Sequence, residues 1–115
     1  MLALITKVIR NVQNADSGIK YRADTEGSRA TVNVSSYGMA YYELPDIRVF
    51  NVAQRYAGEA IEYVKELCDI AKKGNLHDGS RVRFFDGCWI EAILDRSNFK
   101  SQNQYGVFVL TPVRV

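Results

Sequence analysis

Apolar and polar residues alternate through most of the first 45 positions, the period of strands with one buried and one wet face. Ile19, Tyr21 and Ala23 alternate with Lys20, Arg22 and Asp24; Ala30, Val32 and Val34 alternate with Arg29, Thr31, Asn33 and Ser35. Asn14, Asp16, Ser17 and Gly18 form a turn cluster before the first run, and Thr25-Glu26-Gly27-Ser28 separates the two. Upstream, Leu2–Val12 is apolar on both faces near its start, which predicts a strand that is central or covered on both sides. Gly38 predicts a bulge or turn, and Met39–Leu44 a short further strand. Residues 1–44 therefore read as an antiparallel β-meander.

The period then changes. Pro45-Asp46 predicts a helix start with Asp46 as the N-cap. Phe50, Ala53, Ala57, Ile61, Val64, Cys68 and Ala71 recur at helical spacing, and Gly74 stands where a left-handed C-terminal residue belongs. A helix over residues 46–73 would be about 41 Å long. Beside its first apolar row runs a second, Val49, Val52, Tyr56, Ala60, Tyr63, Leu67 and Ile70. Together the rows exceed the ~100° arc that one sheet face normally covers. That width predicts a homodimer, paired through Tyr56, Ala60, Tyr63, Leu67 and Ile70, two-fold symmetry being the commonest closed arrangement. The competing arrangement is a monomer whose two terminal meanders wrap the helix from opposite sides.

Alternation returns in residues 80–115. Val82 and Phe84 alternate with Arg81, Arg83 and Phe85, and Asp86-Gly87 is a strong hairpin signal. Cys88, Ile90, Ala92 and Leu94 lie opposite Trp89, Glu91, Ile93 and Asp95. A polar loop over residues 96–104 leads to Tyr105, Val107, Val109 and Thr111 in alternation; Pro112 marks an edge or an end. Val82–Glu91, with its hairpin turn, tryptophan and alternation, resembles the central hairpin of SH3-like and Tudor-like small barrels. The predicted fold is α+β, a single compact domain. A β-meander (1–44), one long helix (46–73) and a second β-meander (80–115) follow one another as βββ(β)-α-βββ.

Composition removes several functions. With 115 residues and 47% apolar content the chain has the core for one folded domain and no length for a second. The net charge of +2 does not by itself argue for nucleic acid or an anionic membrane. No apolar run approaches the ~18 residues that span a bilayer, and Met1–Val8 lacks the pattern of a signal peptide. A cytoplasmic, reduced protein is expected. Cys68, His77 and Cys88 are the only soft or nitrogen ligands and lack the paired spacing of zinc sites. His77, next to Asp78 in a polar connector, is the sole candidate base. No glycine-rich phosphate loop occurs, so nucleotide cofactors are not expected. These absences predict a protein that is not an enzyme and carries no cofactor or metal.

What remains is binding. Lys7, Lys20, Arg22, Arg29 and Asn33 gather on the wet face of the N-terminal meander, with only Asp24 opposing them. Lysine and arginine on exposed strands are first of all an ordinary device against edge pairing and aggregation. As a binding face the set suits an acidic protein surface before a phosphate backbone, because the net charge lacks the excess of nucleic-acid binders. The expectation is a small accessory protein of inhibitor type acting by protein–protein contact, a role common among chains of this size in phages and mobile elements.

Overall fold

The computed structural model describes residues 7–13, 18–25, 30–96 and 103–113, the first of these stretches as backbone. Four strands open the chain: β1 (Lys7–Gln13), β2 (Lys20–Thr25), β3 (Thr31–Tyr37) and β4 (Asp46–Ala53). One helix, α1 (Ala57–Lys72), follows, and β5 (Arg81–Arg83), β6 (Trp89–Asp95) and β7 (Val107–Pro112) close the chain. The α+β class and the order of strands, helix, strands match the sequence pattern. The described strands form one open sheet in the order β1-β2-β3-β4-β7-β6-β5, so the hairpin that resembles a small barrel's sits in a sheet that does not close.

Two meanders are joined by a single parallel pairing. β1 through β4 pair antiparallel in sequence order, β5 through β7 do the same, and β7 lies parallel to β4. Parallel neighbours need a crossover, and α1 with the β5–β6 hairpin provides it.

The helix is shorter than its periodicity predicts. Residues 46–53 are strand, Gln54–Tyr56 is a 3-10 turn, and only then does α1 begin. Ile47, Val49 and Val52 are β-branched, and such side chains favour the pleated surface of a sheet. A β-bulge disguises the alternation: Val34 pairs with Val49 and Val32 with Val52, so Asn33 faces two residues of β4. Asn51 takes the left-handed conformation at φ 62° there, and its N–H donates to Asn33 Oδ1 at 3.2 Å. Asp46, predicted as an N-cap, is the buried first residue of β4. Met39–Tyr42, predicted as a strand, is a 3-10 turn.

α1 ends as its sequence predicts. Gly74 is left-handed at φ 78°, Gly74 N–H bonds Ala71 O at 2.9 Å, and Asn75 N–H bonds Ile70 O at 3.0 Å. This is the Schellman pattern of reclaimed terminal carbonyls. The helix buries Ala57, Ala60, Ile61, Val64, Leu67, Cys68 and Ala71 against core residues that include Tyr21, Val32, Val34, Ile47 and Val49 of the sheet. Each large aliphatic chain so covered contributes about 1.5–3 kcal/mol.

At the join, Asp46 N–H bonds Gly106 O at 3.1 Å. Gly106 has φ 98°, and a Cβ there would lie 2.8 Å from Asp95 O. Gly106→Ala therefore meets both backbone strain and a main-chain clash, and is expected to lower stability by about 2 kcal/mol. Urea unfolding checks this; an unchanged midpoint would show that the join tolerates a side chain.

Candidate functional site

α1 packs on one face of the sheet, against β2, β3 and β4; on the opposite face Lys20, Arg22, Trp89 and Ile93 are exposed, while Ser35 and Val107 are buried. The strand registers lay that opposite face out in rows. One row runs from Arg22 through Ser35, Arg48 and Val109 to Ile93, crossing five strands. The neighbouring row brings Thr111 beside Glu91 and Glu91 beside Arg81, and Arg83 faces Trp89 at the hairpin end.

Three large apolar side chains stand out of this surface. Trp89 is 48% exposed, Ile93 44% and Phe50 42%. Arginines hold two of the rings: the Arg83 guanidinium lies 4.8 Å from the Trp89 ring centroid and that of Arg48 6.0 Å from Phe50. Both guanidiniums are also positioned by hydrogen bonds, Arg83 Nη1 to Gly87 O at 3.1 Å and Arg48 Nε to Ser35 Oγ at 3.0 Å. Ion pairs join Arg22 to Asp24 at 3.4 Å and Arg81 to Glu91 at 3.7 Å. Among the described residues no ion pair engages Lys20, Arg48 or Arg83, so the face keeps positive charge.

The basic residues singled out from the sequence fare differently. Lys20 is exposed at the start of β2, and Arg22 lies in the central row. Asn33 serves the β-bulge, its side-chain oxygen holding the Asn51 N–H, so it has a structural role. Lys7 opens β1 opposite Thr25, its side chain lying outside the described residues, as does all of Arg29. Arg48 and Phe50 were hidden by their assignment to a helix. Trp89 and Ile93 were legible as one face of β6, but their exposure depends on the helix covering only the opposite side.

The second apolar row of the helix is taken up within the chain. Ala60 is 0% and Leu67 2% exposed, both in the core. Ile70 packs against that core, and Tyr63 sets its ring edge-on to Phe84, 4.8 Å between centroids, while its hydroxyl donates to Arg83 O. Burial, with Glu66 and Asp86 nearby, pushes the Tyr63 hydroxyl up to about 12. Of the five residues expected to carry self-association only Tyr56 stands well exposed. The arc is too wide for a single small sheet; here a continuous sheet floors it and the β5–β6 hairpin covers its flank. Ala60, Tyr63, Leu67 and Ile70 are thus packed within the chain.

Beside the helix N-terminus lies a cavity of about 570 Å³. Phe50, Val52, Tyr56, Phe84, Phe85, Ile90 and Leu110 are among the residues that line it, with Asp86 and Cys88. Cys88, expected on a buried face, is exposed because the chain is still in the hairpin turn at that point. Cys68 is buried in the core, and burial raises its thiol to about 12. His77 is exposed, and Asp78 Oδ1 accepts the Leu94 N–H at 2.8 Å, so that carboxylate serves the loop–strand junction. No group of three or more His, Cys, Asp or Glu among the described residues is placed to hold a metal ion, and no helix is long and apolar enough to cross a membrane.

No protein-family model matches the chain, and no curated protein or solved structure matches it significantly.

Proposed function

We propose that this chain is a small non-enzymatic binding protein that acts by covering a surface of a partner protein, with the sheet face opposite α1 as its docking surface. One observation carries the reading: Trp89, Ile93 and Phe50 stand exposed together with arginines on one broad face. Aromatic and arginine side chains are enriched in protein interfaces, and binding energy concentrates on such anchors. The charge left on Lys20, Arg48 and Arg83 favours a partner that rims an apolar centre with carboxylates. The mode is that of an inhibitor or accessory protein that occupies a site, as in the small proteins of phages and mobile elements. We place it in the cytoplasm on the sequence argument alone. The homodimer expected from the sequence is not retained in this reading, since most of the helix row is packed within the chain and pairing through the sheet face would cover the surface the partner needs.

A tagged chain incubated with extract of the source cells tests this. A partner protein captured by the wild type should fall at least about tenfold with Ile93→Asp, which places a charge where an anchor would be desolvated. Equal capture by wild type and variant refutes the reading. A second reading, single-stranded nucleic acid, is favoured by the two arginine–aromatic pairs, which suit stacked bases beside phosphates. Binding to DNA and RNA across a salt series separates the two: steep loss with salt supports nucleic acid, and no binding at low salt removes it.

A further inference from the structure

The cavity beside the helix N-terminus shares Phe85 as a wall with a second, shallower depression formed by Gly58, Glu59, Glu62, Tyr63 and Glu66. An aromatic pocket and an acidic rim are thus continuous through one ring. The rings form a chain: Tyr56 to Phe85 at 5.8 Å, Phe85 to Phe84 at 4.3 Å, and Phe84 to Tyr63 at 4.8 Å between centroids. Tyr56 already takes a cation on its ring, the Arg55 guanidinium at 4.8 Å. Of the neighbouring carboxylates, Glu62 pairs with Lys65 at 3.6 Å and Asp86 accepts the Cys88 N–H at 2.9 Å, while Glu59 and Glu66 line the rim. Three aromatic side chains offer an apolar body large contact area, and the carboxylates beside Phe85 favour a positive charge at its end. A volume of about 570 Å³ exceeds what one protein side chain fills and lies in the range of small-molecule sites.

We infer that this cavity binds a small amphiphilic organic cation, its apolar body against Tyr56, Phe84 and Phe85 and its ammonium at the Glu59–Glu66 rim. The cavity is bordered by Phe50, which the sheet-face reading also uses, but not by Trp89 or Ile93, so the two readings are tested at different residues. Either can fail alone.

Three probes with one apolar body test it on the full chain: phenylbutylamine, phenylbutanol and phenylbutanoic acid, followed by amide proton–nitrogen spectra. The ammonium probe should bind about tenfold more tightly than the carboxylate and shift the amides of Tyr56, Phe85 and Cys88. It should also slow alkylation of Cys88 by a maleimide, with buried Cys68 silent in that assay. Phe85→Ala should weaken all three probes. Glu59→Gln combined with Glu66→Gln, both on the exposed helix face, should abolish the preference for the cation while leaving the spectrum otherwise native. Equal affinity for the three probes, no shifts at millimolar probe, or shifts on Trp89 and Ile93 instead would each overturn the proposal.

Discussion

Replacing Asp46 by alanine is expected to lower stability by about 3 kcal/mol, because one buried carboxylate serves as acceptor for three separate segments. Its Oδ1 accepts from Ser36 Oγ and from Met39 N–H, both at 3.1 Å, and its Oδ2 accepts from Asn103 Nδ2 at 2.9 Å. Ser36 Oγ in turn accepts the Ile47 N–H at 2.9 Å, and Asn103 Nδ2 also bonds Leu44 O at 2.9 Å. The network therefore ties the end of β3, the turn after it, the start of β4 and the loop before β7 into one knot. Alanine removes the common acceptor while its donors stay buried.

The same residue sets a pH dependence with a definite sign. Burial holds the Asp46 carboxyl above its ordinary value of 3.8, against the opposing hydrogen bonds from Asn103, Met39 and Ser36 and the nearby Arg48 charge. The folded chain thus takes up a proton at Asp46 at higher pH than the unfolded chain does. As pH falls from the raised folded value towards 3.8, this site favours the folded state more; above the folded value that contribution is absent. Other carboxylates add their own slopes, so the difference between wild type and Asp46→Asn isolates it. Urea midpoints at neutral and mildly acidic pH should show the wild type gaining on the variant as pH falls. A difference that is flat or of opposite sign would mean that burial does not dominate at Asp46.

The second large effect concerns the helix. Leu67→Ala is expected to cost about 3 kcal/mol, the usual result of emptying a filled core position, since Leu67 is buried between α1 and the sheet. Tyr63→Glu should cost about 2 kcal/mol, because it forfeits the bond to Arg83 O and sets a charge against Phe84. Both losses should be independent of protein concentration in urea unfolding. A helix-mediated dimer predicts the reverse, with midpoints that fall on dilution and a Tyr63→Glu chain that stays stable but changes mass by light scattering.

Much of this arrangement is written locally in the chain. Tyr21 between Lys20 and Arg22, and Ile90 and Ala92 between Trp89, Glu91 and Ile93, alternate as their strands require. Gly74 closes the helix where the C-terminal signal places it, and Asp86-Gly87 makes the hairpin turn. β4 escaped because Phe50, Ala53 and Ala57 mimic a helical period across a strand, a bulge and a helix start. The left-handed Asn51 at the bulge breaks the alternation that Ile47 and Val49 begin. The signal that could have found it was the β-branched run Ile47, Val49 and Val52. The parallel pairing of β4 with β7 has no local signature at all, since it joins residues about sixty apart and depends on the crossover between them. Arg48 shares the masking of β4, and the row of the sheet face from Arg22 to Ile93 exists only where β4 and β7 lie side by side.

Trp89 is the one tryptophan in the chain and stands on the proposed docking face, so its side chain reports directly on whether that face is covered. Fluorotryptophan incorporated at Trp89 should give a single fluorine resonance that responds to solvent in the free chain. On addition of source-cell extract the resonance should shift or broaden and lose its sensitivity to solvent, and Ile93→Asp should abolish that change. An unperturbed Trp89 resonance in an extract from which the same chain still captures a partner would place binding elsewhere on the molecule and contradict the account.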